Sequence, residues 1–143
     1  MAVESGVYPC YENQFQVKVD NAYKTIADME TFSVSIDNGV EEWTPFEHEG
    51  WKRRLMTAKS ITLTVNGKRN IGDDGNDYIA GLFMENGQAA QSDFKWTFPD
   101  GGVLEFVDAV VNITNMGAGD STAVAPLEFE LMSNGKPTYT PAA

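Results

Sequence analysis

The sequence predicts a mainly β fold, a two-sheet β-sandwich with one α-helix against an edge or a face of the sheets. Three observations lead to this prediction. Apolar side chains alternate with polar ones in several short runs, one segment carries apolar residues at helical spacing, and turn-forming sequences separate the runs. With 143 residues, of which 42% are apolar, the chain is large enough for a core, and we expect residues 1–143 to form a single domain.

Strand-like alternation recurs along most of the chain. The alternating runs are residues 15–19, 32–37, 60–65, 94–98 and 127–131. The run at 60–65 ends in Asn66-Gly67, a strong hairpin-turn signal. Between residues 104 and 113 the apolar positions change parity, so this strand either contains a bulge near Asp108 or is buried on both faces.

One helix interrupts the strands, over about residues 76–86. Its apolar face consists of Tyr78, Ile79, Leu82 and Phe83, at positions i, i+1, i+4 and i+5. The polar residues at its start are Asp73, Asp74, Asn76 and Asp77. Their side-chain oxygens can cap free backbone amides, and their negative charge suits the helix dipole. Asn86-Gly87 is a typical C-terminal stop.

Two segments do not fit a compact sandwich. Residues 38–58 are expected to form a long loop between two strands, which is unusual in a small domain. The aromatic residues and the two charge blocks of this loop are Glu41, Glu42, Trp43, Phe46, Glu47, Glu49, Trp51, Lys52, Arg53 and Arg54. Such a composition is typical of a protein–protein interface, although the loop could instead fold back and cover its own core. Residues 134–143 are expected to form a flexible C-terminal arm.

The charge and the residue inventory argue against most functional classes. The net charge of −11 argues against nucleic-acid binding, and it fits either a soluble surface or one that must not retain DNA. Cys10 and His48 are the only cysteine and histidine, and no catalytic or metal-ligating pattern includes them. We therefore predict no enzyme activity, cofactor or metal. Without a membrane-length apolar stretch or a signal peptide, a cytoplasmic origin is expected.

The middle of the sequence resembles the major tail proteins, or tail tube proteins, of long-tailed phages. Residues 55–69 end in Asn66-Gly67-Lys68-Arg69, and residues 72–78 begin with Gly72-Asp73-Asp74-Gly75. In that family a strand ends in a turn of Gly-Lys-Arg character, and a Gly-Asp-x-Gly turn then starts the single helix. The order of the parts is similar over most of the chain, from about Phe15 to Pro137.

The resemblance implies a fold, an assembly and a location. The inner sheets of the sandwich would close into a barrel across subunits, and hexameric rings would stack into a hollow tube through which DNA passes during ejection. The protein would be a structural part of the virion tail tube, assembled in the host cytoplasm. Implied partners are further copies of the chain, the tail terminator, tail-tip or baseplate proteins, and the tape measure protein inside the tube during assembly. DNA would transit without specific binding, and no membrane would be involved.

The resemblance also suggests where the functional residues lie. A channel wall is expected to carry acidic and short polar side chains, because these do not retain phosphate. The candidate wall residues are Glu128, Glu130, Ser33, Ser35 and Asp37, together with Ser60, Thr62 and Thr64. The loop at residues 38–58 would bridge neighbouring subunits and the adjacent ring.

Three alternatives remain open at this point. A tube protein of a phage-derived contractile device or bacteriocin would share the fold. A monomeric β-sandwich binding module would explain the strands and the acidity, but not the aromatic residues of the loop. A small enzyme would need a site that the sequence does not contain.

Overall fold

The computed structural model describes residues 6–142, which contain eight β-strands, one α-helix and four short 3-10 helices. The strands are β1 (Gln14–Val19), β2 (Ala22–Thr25), β3 (Met29–Trp43), β4 (Arg53–Lys68), β5 (Gln91–Thr97), β6 (Val103–Met116), β7 (Pro126–Met132) and β8 (Thr138–Thr140). Helix α1 is Asp74–Ala80, and the 3-10 helices are Cys10–Glu12, Phe46–His48, Gly81–Met84 and Gly87–Ala90. The prediction of a mainly β fold is confirmed.

The strands form one antiparallel sheet that coils back on itself. Its order is β2-β1-β5-β6-β7-β4-β3, and β8 pairs with the start of β6. Although β1 and β3 lie near opposite ends of this order, the rings of Phe15 and Phe32 meet with centroids 4.8 Å apart. Sheet twist accumulates over many strands and brings the two ends together. The two hydrogen-bonded sheets expected from the sequence are therefore replaced by two halves of one sheet.

We name these halves by their strands. The β1–β5 half comprises β2, β1, β5 and the first part of β6, and the β4–β7 half comprises the rest of β6 with β7, β4 and β3. The core lies between them, and its largest fully buried side chains are Phe94, Phe106 and Phe129. Each contributes about 1.5–3 kcal/mol to folding by its burial. Helix α1 adds Ile79 and Ala80 to the core from the side of β1 and β2.

A bulge in β6 explains the change of apolar parity that the sequence shows. The pairing of β5 with β6 shifts between Ser92 and Phe94, so that Val107 and Asp108 together lie opposite Asp93. Asp108 has a φ of +54°, and its N–H donates to Asp93 Oδ1 at 3.0 Å. Of the two alternatives drawn from the sequence, the bulge near Asp108 is the correct one.

Helix α1 begins at Asp74, two residues before the predicted start, and it ends earlier than predicted. The side chain of Asp73 caps it by accepting from Asn76 N at 3.0 Å. The α-helix stops at Ala80, and the chain continues as a 3-10 helix to Met84, so the predicted range of 76–86 is wrong at its end. Asn86 does not stop the helix, because the backbone is already extended at Glu85 and Asn86 instead precedes a separate 3-10 helix.

The segment at residues 38–58 is not a loop. Strands β3 and β4 continue through most of it, so that only residues 44–52 connect them. The register between Gly39 and Val40 shifts, because Thr57 is an extra residue on β4. This bulge and the charged residues break the apolar alternation that marks strands elsewhere, which is why the pattern suggested a loop.

Two short strands were also missed. Strand β2 pairs with β1 across a tight turn in which Asp20 and Asn21 both have positive φ, 49° and 66°. Positive φ at both central residues is the type I′ hairpin geometry. In the expected C-terminal arm, β8 pairs with residues 103–105 and the ring of Tyr139 lies 5.8 Å from that of Phe98, so part of the arm is bound to the sheet.

Candidate assembly surfaces

The outward face of the β4–β7 half brings together the residues proposed for a channel wall. Directly paired residues of antiparallel strands project to the same face. The paired rows are Ser33–Thr64–Glu130, Ser35–Thr62 and Asp37–Ser60. Glu128 shares this face because it lies two residues from Glu130 on β7. The intervening residues Leu63 and Val65 are buried in the core.

The same face contains asparagines that the sequence analysis did not single out. Asn66 pairs with Thr31 on one side and with Glu128 on the other. Asn112 pairs with Glu130, and its Nδ2 donates to Glu130 Oε1 at 3.0 Å. Asn66 and Gly67 continue β4, so they are not the hairpin turn that the sequence suggested. The position of Asn112 on this face follows from its pairing with Glu130 of the neighbouring strand, and a single sequence does not show that pairing.

This polar face is acidic. The strand residues that form its main part, 29–37, 60–68 and 126–132, include four acidic residues and one basic residue, a net charge of 1 − 4 = −3. The acidic residues are Glu30, Asp37, Glu128 and Glu130. The basic residue is Lys68, whose Nζ lies 2.9 Å from Glu30 Oε1. A polyanion approaching this face would therefore meet repulsion from the remaining carboxylates.

The outward face of the β1–β5 half differs in charge. Lys18 Nζ lies 3.8 Å from Asp93 Oδ2, and Lys95 Nζ lies 4.3 Å from the centre of the Tyr23 ring. The hydroxyl of Tyr23 donates to Glu105 Oε2 at 2.7 Å. Burial and the hydrogen bond to Glu105 raise the pKa of Tyr23. This face therefore presents lysines within a network of opposite charges, whereas the β4–β7 face presents mainly acids and hydroxyls.

A two-stranded hairpin projects from the β4–β7 half. The pairing of β4 with β7 ends at Thr62, Ser133 N still donates to Ile61 O at 2.9 Å, and beyond Ile61 the strands β3 and β4 pair only with each other. The eight residues 36–43 extend this hairpin by about 26 Å, at roughly 3.3 Å per residue. An isolated two-stranded hairpin is at best marginally stable in water. The projecting hairpin is thus an element that further contacts would stabilise.

The tip of the hairpin exposes three large aromatic side chains. Phe46 is fully exposed, Trp51 is 78% exposed and Trp43 is 44% exposed. The guanidinium carbon of Arg53 lies 5.8 Å from the centre of the Trp43 ring. These rings do not cover the protein's own core, so the alternative in which the segment folds back is wrong.

The two charge blocks of this segment face each other across the hairpin. Glu42 Oε2 lies 2.6 Å from Arg54 Nε, and Glu42 Oε1 lies 3.6 Å from Lys52 Nζ. The hydrogen bond from Arg54, with the charge of Lys52, holds the pKa of Glu42 below its usual value. Glu41, Glu47 and Glu49 are exposed around the same tip.

An apolar strip, which the sequence pattern did not indicate, extends along the hairpin. Its residues, each between 40% and 53% exposed, are Val34, Ile36, Val40 and Met56, which lie on one face because Val40 pairs with Met56. Exposed apolar side chains in such number are typical of a surface that another protein covers. The outer edge of β3 adds backbone groups to this surface, because the fifteen residues of that strand pair only with β4.

Within residues 6–142 no group of histidine, cysteine, aspartate and glutamate side chains could hold a metal ion. An open groove of about 710 Å³ follows the line where the two ends of the sheet meet, beside Phe15 and Phe32. A smaller groove of about 280 Å³ lies beside Trp96. In the same part of the chain no helix has the length and apolar character needed to span a membrane.

Solved structures with the same architecture come from phage-like tails and injection systems. A chain of the tail of an empty gene transfer agent particle, refined with C6 symmetry, superposes with a TM-score of 0.75 at 18% identity, over 94% of this chain and 100% of its own length. A chain of the native gene transfer agent virion gives 0.73 at 18% identity, with coverages of 94% and 100%. The chain has the tail-tube fold.

The tail-tube fold also occurs in an extracellular contractile injection system. A chain from its sheath/tube terminator superposes with a TM-score of 0.65 at 16% identity, over 98% of this chain and 100% of its own length. No family model matches the sequence. No curated protein matches it either. The tail-tube fold is thus recognised by superposition over nearly the whole chain, at 16–18% identity.

Proposed function

We propose that this single-domain protein is a structural, non-enzymatic subunit of a phage-like tail tube. Hexameric rings of it stack into a hollow tube, and DNA passes through that tube during ejection. The observation that carries this proposal is the acid- and hydroxyl-rich face of the β4–β7 half in a chain with the tail-tube fold.

The β4–β7 face lines the channel in this proposal. Ser33, Ser35, Asp37, Glu128 and Glu130 lie on it together, and its one lysine is paired with a glutamate. Lysine and arginine provide most of the affinity of proteins for phosphate. A wall without available cations lets DNA slide, whereas the β1–β5 face, with Lys18 and Lys95, suits the exterior of the tube.

The open edge of β3 supports closure of the β4–β7 halves into a barrel across six subunits. A long strand with unpaired backbone groups is a site of uncontrolled association unless another strand covers it. Pairing with the next subunit of the ring satisfies these groups, and a cyclic arrangement leaves no edge.

The projecting hairpin is the contact between adjacent rings. Its tip carries Trp43, Phe46 and Trp51, and tryptophan and other aromatic residues dominate the energetics of most protein interfaces. The exposed charges that surround them, Glu41, Glu47, Glu49 and Arg53 among others, suit the polar rim of such an interface. Glu42 and Arg54 form an exposed ion pair between the two strands of the hairpin.

The partners follow from the assembly. A tail terminator closes one end of the tube, tail-tip or baseplate proteins start the other, and a tape measure protein occupies the channel during assembly. The protein resides in the virion tail and is assembled in the host cytoplasm, without a cofactor or membrane.

A second candidate is the tube of a contractile injection device, favoured by the shared fold with the contractile system. Both tubes would have the same subunit architecture. The presence of a sheath around the native tube distinguishes them, and it can be seen in particles isolated from the source organism.

Negative-stain electron microscopy of the concentrated protein tests the proposal. We expect hollow tubes or stacked six-fold rings, either spontaneously or after addition of tail-tip complexes as seeds. Monomers that persist at high concentration and in the presence of seeds would contradict a tail-tube role and favour a monomeric binding module.

A further inference from the structure

The chain contains four Asn-Gly dipeptides, which the fold holds in different ways. They are Asn38-Gly39, Asn66-Gly67, Asn86-Gly87 and Asn134-Gly135. An asparagine before glycine is chemically labile, because glycine has no side chain to hinder its backbone nitrogen from approaching the preceding side-chain amide. In a folded protein the local backbone decides whether that approach occurs.

At Asn86-Gly87 the reacting groups are already adjacent. Gly87 N lies 2.9 Å from Asn86 Oδ1, and both residues are exposed. Gly87 is the first residue of a 3-10 helix, where the backbone N–H has no partner within the helix. Its φ of +62° is one that glycine adopts without strain. No strand ladder has to open before its nitrogen can reach the Asn86 side chain.

The other three dipeptides are more restrained. Asn38 lies in β3, and its Oδ1 accepts from Lys59 Nζ at 2.8 Å. Gly67 is buried in β4 between β3 and β7, where even a Cβ would collide with Asp28 O. Asn134 lies in an exposed turn, but its Nδ2 donates to Asp108 O at 3.2 Å, which ties the side chain to the β6 bulge.

We infer that Asn86 is a site of spontaneous deamidation in the folded protein. Gly87 N loses its proton to hydroxide and attacks Asn86 Cγ, so that the N–Cγ bond forms and the Cγ–Nδ2 bond breaks. Ammonia leaves with a proton taken from water, and water then opens the succinimide at either carbonyl. The products are aspartate and isoaspartate. Each adds one negative charge, and isoaspartate also lengthens the main chain ahead of β5.

Mass spectrometry after trypsin digestion can follow each dipeptide separately. Cleavage after lysine and arginine places the four asparagines in different peptides, residues 25–52, 60–68, 70–95 and 96–143. The whole protein is incubated at mildly alkaline pH, once folded and once in guanidinium chloride. In the folded protein we expect peptide 70–95 to convert several-fold faster than the other three. In denaturant all four should convert at similar rates.

For each asparagine, the ratio of the deamidation rate in the folded protein to that in denaturant separates the effect of the structure from the effect of the local sequence. We expect this ratio to be near unity for Asn86 and far below unity for Asn66. The variant Asn86→Gln should remove the conversion of peptide 70–95, which also contains Asn70 and Asn76. Protection of Asn86 as strong as that of Asn66, or conversion that persists in Asn86→Gln, would overturn the inference.

Discussion

Asn76 joins three separate segments of the chain at one buried side chain. Its Nδ2 donates to Ala27 O at 3.0 Å and to Lys68 O at 2.9 Å. Its Oδ1 accepts from Arg69 Nη1 at 2.9 Å and from Asn70 N at 3.0 Å. The start of α1, the end of β4 and the β2–β3 connection therefore depend on one amide, all of whose hydrogen-bonding capacity is used.

Replacing Asn76 with alanine should reduce the free energy of unfolding by about 2–4 kcal/mol. The variant leaves buried carbonyl and amide groups without partners, and each such loss is expensive. Chemical denaturation measures the effect. Asn134→Ala is the control, since Asn134 is exposed and makes one hydrogen bond, to Asp108 O. Equal stability of the two variants would show that the Asn76 network contributes little.

Two glycines should respond to alanine with opposite signs. At Gly67 a Cβ would lie 2.5 Å from Met29 Cα and collide with Asp28 O, so we expect a loss of about 1–3 kcal/mol in unfolding free energy. At Gly81 a Cβ meets nothing within 4 Å and the backbone is helical, so Gly81→Ala should gain about 0.4–1 kcal/mol. Thermal or chemical unfolding of both variants checks the sign. A stabilised Gly67→Ala protein would contradict the packing described for β4.

At the scale of elements, the sequence predicted best what local chemistry decides. The cap at Asp73 lies next to the start of α1, and the parity change at Asp108 lies at the β6 bulge itself. Both signals are therefore local in the sequence. The hairpin was missed because its strands are defined by cross-strand pairs, such as Asn38 with Lys59, which a single sequence does not show, and because a bulge at Thr57 hides its alternation. The candidate residues were identified, but the element that carries them was not.

The tip of the hairpin provides a prediction about assembly. Trp43→Ala combined with Trp51→Ala should leave a folded subunit that builds no long tubes, because both rings are exposed in the single chain. Circular dichroism checks the fold, and electron microscopy or light scattering checks the tubes. The matched control, Phe at both positions, keeps aromatic contacts and should restore much of the assembly. Long tubes from the alanine variant would exclude the hairpin tip as the contact between rings.

At the scale of the whole molecule, the coiling of one sheet explains what the sequence could not give. Alternation identifies the two faces of each strand, but the contact of Phe15 with Phe32 links strands that are far apart in the sheet order. A single sequence therefore indicates that Ser35 and Glu130 are outward-facing, without showing that they belong to the same surface. The proposal of a channel wall depends on that shared surface, because only together do these side chains form a continuous acidic and polar face.

Cysteine labelling distinguishes the two outward faces once tubes are available. On a Cys10→Ser background, Glu128→Cys and Glu130→Cys should be protected from a bulky thiol reagent in long tubes, because the reagent would have to enter the channel. The same positions should react in the dissociated subunit. Lys18→Cys, on the β1–β5 face, is the control and should react in both states. Full reactivity of the two glutamate positions on intact tubes would rule out their place in the channel.

The strand order also determines which parts of the sheet can form first during synthesis. Residues of β1 pair with residues of β5 about eighty positions later, and residues of β4 pair with residues of β7 about sixty to seventy positions later. The β1–β2 and β3–β4 hairpins can close first, because they form from neighbouring sequence and emerge before β5, β6 and β7, which complete the middle of the sheet. Such long-range pairing makes folding slow. The apolar strip of the projecting hairpin is therefore exposed to solvent before the core has formed. During that interval a low protein concentration or a chaperone would protect the chain from aggregation.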